Sequence, residues 1–415
     1  MYRSYNVRPL PVQPRRNRSK RPLVIAISII VILAVYTGYA LLRTLPAPTV
    51  TIQPPVTPAL VRVNTPWPAS SPNEQAAFGA DGYGLLTNHG PETPAPTASV
   101  AKVITALAVL DKKPITPGSS GPTIQLTASD KAIYDRYVSI DGSVVPVSAG
   151  QTMTEYEALQ ALMLPSANNI ADSLALWAFG SMDAYNAYAN TYVKKLGLKQ
   201  TTVTDASGFA PTTVSTASDL VRLGDAALDN PILKDIVSQR SADTVDFGRI
   251  YNVNALLGQS GVSGIKTGNT DEAGGCFLGA ATIKVGDQTL TVITAVMKAP
   301  SLAQALRDTL PLVQSGPSQF QSVHVVTEGQ KLGVVRTAWG GESTVSASRT
   351  VAVTAWSGTT ISPKVTQQSV SKHPRAGGTV GTVSVEFNGS TKSSDLILSS
   401  DVPAASPWWR LTHLF

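Results

Sequence analysis

Along the chain, the first regular pattern is an unbroken apolar run. Residues 22–42, PLVIAISIIVILAVYTGYALL, carry no charged side chain. A helix needs about 20 apolar residues to cross a bilayer core, and this run supplies them. The apolar part of a cleaved export signal is only about 7–15 residues and ends at a small-x-small site. This run is longer and no such site follows, so the expectation is a retained membrane helix. Residues 44–72 then hold eight prolines, a composition that favours a stiff, extended spacer over a packed unit.

Beyond the spacer, sheet-like and helix-like periods alternate. Residues 75–88 pattern as a hairpin turning near Asp81 and Gly82. Residues 99–110, SVAKVITALAVL, form an apolar helix whose composition places it in the interior. Thr152 with Glu155 three positions on predicts a capping box, opening a helix that runs to Leu164 and breaks at Pro165. Helices are also expected over 181–196, with Gly197 as C-cap, and over 217–229. Residues 276–297 read as two strands around Gly286–Asp287, followed by a helix over 302–313. Strands at both ends of a segment with helices between them point to an α+β fold, an antiparallel sheet covered by helices. From about 321 to 402, short β-rich runs separated by Gly, Ser and Pro predict a small all-β domain. The expected organisation is a basic tail (1–21), a transmembrane helix (22–42), a proline-rich linker (43–72), a helix-and-sheet domain (73–315), a β-rich C-terminal domain (316–402) and a Trp-rich tail (403–415).

Charge narrows the function. The formal net charge of +6 is concentrated at the N-terminus: residues 1–43 hold eight Lys and Arg and no acid, leaving 25 basic against 27 acidic residues elsewhere. No basic stripe remains to neutralise phosphates, which removes the main support for nucleic-acid binding. Seven of those eight basic residues precede the apolar run, so the positive-inside rule puts the N-terminus in the cytoplasm and the remainder outside. The single cysteine, Cys276, permits no intrachain disulfide and reads as a small core residue. Four scattered His and no cysteine cluster give no metal-ligand spacing. Trp408 and Trp409 suit either packing on the β-rich domain or a membrane interface.

Three short motifs carry chemistry. Ser99 and Lys102 form S-x-x-K at a helix start, where positions three apart share one face. A serine hydroxyl needs a base to become a nucleophile, and a lysine serves only if burial or positive charge lowers its pKa; the apolar helix supplies burial. Ser166 and Asn168 form S-x-N in an inter-helix loop, offering a hydroxyl and an amide for proton relay and substrate positioning. Lys266, Thr267 and Gly268 form K-T-G on a strand: a cation and a hydroxyl suited to a carboxylate, beside a residue without a side chain. Each motif alone is common, since Ser-to-Lys spacings, capping serines and strand lysines occur in most proteins. Together, in this order, they are the signature shared by penicillin-binding proteins and class A β-lactamases.

With these motifs, the chain resembles the D-alanyl-D-alanine carboxypeptidases among the low-molecular-mass penicillin-binding proteins. ASVAKVITALAVL, LMLPSANNIADSLA, KLGLKQTTVTDASGF, STASDLVRLGDAAL and GIKTGNTDEAGGCFLGAA carry the resemblance, with PAASPWWRL similar to the family's end. It implies a penicillin-binding, serine β-lactamase-like fold and an acyl-enzyme mechanism without metal or organic cofactor. Ser99 would be the nucleophile, Lys102 its general base, and Ser166 and Asn168 aids to proton transfer. Lys266 and Thr267 would hold the substrate's terminal carboxylate, and the backbone amides of Ser99 and Asn269 would form the oxyanion hole. Peptidoglycan stem peptides would be substrates and β-lactams covalent inhibitors. The family commonly has Thr, Gly and Asp where this chain has Ala101, Ala167 and Ser263; none of these changes removes a catalytic group.

Alternatives share much of this site. A class A β-lactamase needs a glutamate between the second and third motifs to activate the deacylating water, and residues 169–265 contain none. A DD-endopeptidase or transpeptidase would use the same groups. A non-catalytic wall-binding scaffold would be marked by loss of Ser99 or Lys102, and both are present.

Overall fold

The computed structural model describes Met1, residues 20–371 and residues 373–413. Most of the expected basic tail and the last two residues of the Trp-rich tail lie outside the described residues. Helix Arg21–Leu42 is the one helix among the described residues long and apolar enough to cross a membrane. Pro22 stands in its first turn, where the missing N–H has no intrahelical partner to lose.

A five-stranded antiparallel sheet forms the centre of the larger body. Its order is Val262–Thr270, Gly274–Val285, Gln288–Ala299, Gln75–Ala80, Gly84–His89. Side chains alternate between its faces, as the period of two requires. Ala77, Leu278, Ala280, Ile293, Ala295 and Met297 face the helical layer that contains Lys102–Lys112. Ala76, Phe78, Phe277, Ala281, Val292 and Val296 face the opposite layer, which contains Leu312 and Val313 of helix Leu302–Gln319. Both faces are covered, so the central strands read as apolar runs rather than strict alternation. Helix Lys102–Lys112 is buried from Lys102 to Leu110, and its apolar side chains stabilise by about 1.5–3 kcal/mol each on full burial.

Several local expectations shift. The capping box belongs to Thr154 and Glu157, not Thr152 and Glu155, and the helix is Glu155–Met163. Thr152 instead lies in a short strand paired with Gln125, so tertiary pairing displaced the boundary. The helix expected over 302–313 runs to Gln319 through Pro311 and Pro317. Each proline removes one helical hydrogen bond; burial of Leu312, Val313 and Gly316 against the sheet holds the helix together.

The second body is a six-stranded antiparallel sheet with a core of Val335, Val345, Val383, Val385, Leu396 and neighbours. Strand Phe320–Val326 pairs with Val351–Trp356 to complete it. Phe320 and Trp356 pack with Phe78 and Tyr83 of the larger body. The proline-rich segment does not stand off as a free spacer. Thr49–Ile52 is an edge strand of the six-stranded sheet, paired with Lys331–Arg336, and Leu60 is buried in its core. Pro54 and Pro55 follow that strand, where residues without an N–H end further pairing.

Candidate active site

The three motifs, distant in sequence, meet at one edge of the five-stranded sheet. Ser99 lies in a 3₁₀ turn, Ala98–Ala101, that leads directly into helix Lys102–Lys112. Ala98 has φ +46° and Ser166 φ +66°. Non-glycine residues in that region cost of order 1–3 kcal/mol and cluster at functional sites. Both flank or form the groups in question.

Lys102 is fully buried. Its Nζ lies 2.8 Å from Ser99 Oγ, 2.6 Å from Asn168 Oδ1 and 2.8 Å from the Ser207 carbonyl oxygen. The last two are acceptors only. A neutral amine has two N–H groups and one lone pair; with the N–H groups directed to Asn168 and Ser207, the lone pair faces the Ser99 hydroxyl. Burial pulls the Lys102 pKa from 10.5 down to about 7, against the opposing pull of the Asp205 and Asp172 carboxylates. Near pH 7 a sizeable share of this amine is then neutral, the form able to accept a proton.

Asn168 begins helix Asn168–Phe179 directly after the S-x-N turn. Its backbone N–H donates to the Ser143 carbonyl at 2.7 Å. Ser166 is buried in the joint between that helix and Glu155–Met163. Lys266, Thr267 and Gly268 lie buried on the sheet's edge strand, in register with Leu278, Phe277 and Cys276. Lys266 Nζ donates to the Thr267 carbonyl at 3.1 Å. Burial, with the nearby Lys102 charge, holds Lys266 well below the ordinary lysine range. Asn269 is exposed at the end of this run.

Gly268 has a packing reason in the strand itself. A Cβ there would come within 2.9 Å of the Thr97 carbonyl oxygen and 3.1 Å of Ser99 N. The absent side chain lets the strand close on the serine turn itself.

Sequence reading missed the loop that completes the Lys102 environment. The Asp205 carboxylate accepts from Ser207 Oγ at 2.8 Å and Phe209 N at 3.0 Å, and also from the Thr213 hydroxyl. Thr105 Oγ1 donates to the Ala206 carbonyl at 2.6 Å. These bonds fix the Ser207 carbonyl against Lys102. Gly208, at φ +73°, packs so closely under Ala98 that a Cβ would meet its carbonyl oxygen at 1.9 Å. The signal in the sequence was the turn-forming D-A-S-G at 205–208. Asp172, one helical turn beyond Asn168, is also buried; it pairs with Arg136 and accepts from Tyr137 Oη at 3.1 Å. Cys276 is buried, and burial pushes its thiol up to about 11, consistent with a packing role.

A serine hydroxyl, a buried lysine and an amide within hydrogen-bonding distance, with a second buried lysine on the adjacent strand, sit together on a helix-covered antiparallel sheet. A sequence model of the D-alanyl-D-alanine carboxypeptidase family matches residues 80–301. The chain belongs to that family, and it is a serine peptidase. It is 28% identical over 233 residues to a D-alanyl-D-alanine endopeptidase of Pseudomonas aeruginosa, covering 54% of this chain and 71% of that protein. It is 27% identical over 256 residues to the D-alanyl-D-alanine carboxypeptidase DacD of Salmonella typhimurium, covering 60% of this chain and 63% of the relative. In fold it matches penicillin binding protein 5 of Haemophilus influenzae with a TM-score of 0.57 at 21% identity, over 82% of this chain and all of that one.

Proposed function

We propose that this protein is a D-Ala-D-Ala carboxypeptidase that removes the terminal D-alanine of peptidoglycan stem peptides through an acyl-enzyme on Ser99. The observation that carries the reading is the placement of Lys102 Nζ, 2.8 Å from Ser99 Oγ with two pure acceptors on its remaining sides. Neutral Lys102 takes the hydroxyl proton as Ser99 Oγ attacks the carbonyl of the penultimate D-alanine. The oxyanion that forms is held by the backbone amides of Ser99 and Asn269; one such donor typically contributes about 3–4 kcal/mol. The proton then passes to the leaving amine, with Ser166 and Asn168 lining the route, and D-alanine departs. Lys102, neutral again, faces the water that hydrolyses the ester and restores Ser99.

Lys266 and Thr267 recognise the terminal carboxylate. Lys266 is buried beside another lysine, so an arriving carboxylate supplies its missing countercharge and favours its protonated form. β-Lactams acylate the same serine. With no glutamate in residues 169–265 to activate a deacylating water, the penicilloyl enzyme is long-lived. The endopeptidase relative keeps a second reading open, in which the same groups cut a cross-link amide. Release of D-alanine from a D-Ala-D-Ala pentapeptide, lost in Ser99→Ala, supports the carboxypeptidase. Penicillin labelling with cleavage of cross-linked dimers alone would favour the endopeptidase.

The membrane reading belongs to the same proposal. Helix Arg21–Leu42 is retained as a single span, with the N-terminus cytoplasmic and the catalytic body outside, facing the peptidoglycan. The basic residues before the helix and the single one closely after it support this orientation.

A further inference from the structure

Helix Ala128–Ser139 buries a single residue, Tyr137, in its last turn. The ring packs edge-on against Phe209, ring centres 5.9 Å apart. It also closes on Gly142, where a Cβ would come within 2.9 Å of Tyr137 Cδ1 and 3.0 Å of Asn168 Nδ2. The hydroxyl lies between two acidic segments, 3.1 Å from Asp172 Oδ2 and 3.2 Å from Ser207 Oγ. Ser207 Oγ in turn donates to Asp205 Oδ2 at 2.8 Å. One phenol thus links the two carboxylates whose charge reaches Lys102. Tyr185, also buried, bonds the Thr105 hydroxyl instead.

The two oxygens of Asp172 are unequally supplied. Oδ2 accepts from Tyr137 and from the Arg136 guanidinium, whereas the buried Oδ1 meets no hydrogen-bond donor among the described residues. A buried carboxylate stays charged only where donors or cations offset its lost solvation. Burial pushes the Asp172 carboxyl up, and the Arg136 charge and the Tyr137 hydroxyl pull it back. The Arg136 side chain is 57% exposed, so solvent weakens its pull. The phenol is the donor inside. Burial, with the Asp172 charge, pushes the Tyr137 phenol further above its ordinary range, so it keeps its proton and donates. The charged groups around the pair are then Asp205 and Lys266 beside Lys102, and Arg136 and Asp205 beside Asp172.

We propose that Tyr137 is a positioning residue for the acyl-transfer base: its hydroxyl holds Asp172 in place and ionised behind Lys102. When Lys102 takes the Ser99 proton, the ammonium that forms then has a second counter-charge besides Asp205. Tyr137 acts through Asp172, with its ring wedged between Phe209 and the Gly142 turn to fix the hydroxyl. The role rests on Lys102 being the base, as proposed above, and the test separates the two.

Acylation of the full chain by a fluorescent penicillin is followed on both sides of neutrality for wild type, Tyr137→Phe, Asp172→Asn and the double variant. Tyr137→Phe keeps the ring and removes one oxygen. Its pH limb is expected below that of the wild type, displaced in the same direction as in Asp172→Asn and no further. The double variant should match Asp172→Asn alone, since the phenol then has no charge to hold. Infrared difference spectra against Asp172→Asn give a second readout that does not depend on the Tyr137 variant. The wild type should show no protonated-carboxyl band from Asp172 at the limb, and Tyr137→Phe should gain one. A Tyr137→Phe limb that stays in place while Asp172→Asn moves it, whatever the fall in rate, overturns the role of Tyr137. So does a protonated Asp172 band in the wild type at the limb. No limb in the wild type, or one that Asp172→Asn leaves in place, overturns the Lys102 reading itself.

Discussion

Lys102 Nζ and Asn168 Oδ1 stand 2.6 Å apart, joining the helix that begins just after the nucleophile to the helix that follows Ser166. This contact holds one N–H of the amine away from Ser99. Asn168→Ala removes it and leaves the amine free to rotate. A hydrogen bond to a charged or ionisable group contributes about 1.5–3 kcal/mol. The expected outcome is penicillin acylation slowed by about 10- to 100-fold, with the circular dichroism of the folded chain unchanged.

The pH dependence has a definite sign. Lys102 acts as a base only when neutral, so acylation should rise with pH through a limb near 7, the value to which burial brings it. Asp172 opposes that lowering by its negative charge. Asp172→Asn removes the charge, so the limb should move to lower pH. An unmoved limb in a variant that still acylates would mean that the base is another group.

Stability should also respond to pH. The folded pKa of Lys102 is depressed from 10.5 to about 7, so between these values the unfolded chain binds more protons and stability rises with pH. Glu155, which burial raises to about 7, is protonated in the fold up to that point; its effect lies below pH 7 and is opposite in sign. Denaturant titrations at pH 7 and pH 9 should show a larger gain for the wild type than for Lys102→Met.

Gly268→Ala tests the closure of strand on serine turn. The added methyl group meets backbone at Thr97 and Ser99, and neither can move without displacing the nucleophile. Overpacking of this kind typically costs about 1–3 kcal/mol. The expected result is a folded protein whose acylation rate falls by at least tenfold.

The parts of the fold differ in how plainly the sequence declares them. The sheet hairpins, the apolar helix after Ser99 and the motif order were legible because local period and turn chemistry agree with the tertiary structure there. The Thr154 cap and the extension of the helix past Pro311 were not, because strand pairing at Thr152 and packing against the sheet overrode local preference. Asp205, Ser207 and Asp172 were invisible as site-shaping residues. Their role depends on which loop the fold brings to Lys102, and the motif pattern says nothing of that. The edge strand Thr49–Ile52 was hidden within a proline-rich composition that reads as extended whether or not it pairs.

The measurement that bears most directly on the central claim is intact-mass spectrometry of the full chain mixed with a penicillin, followed by peptide mapping. One penicilloyl adduct is expected on the peptide containing Ser99, slow to decay, and absent from Ser99→Ala. No adduct on the folded wild type, or an adduct that persists in Ser99→Ala, would contradict it.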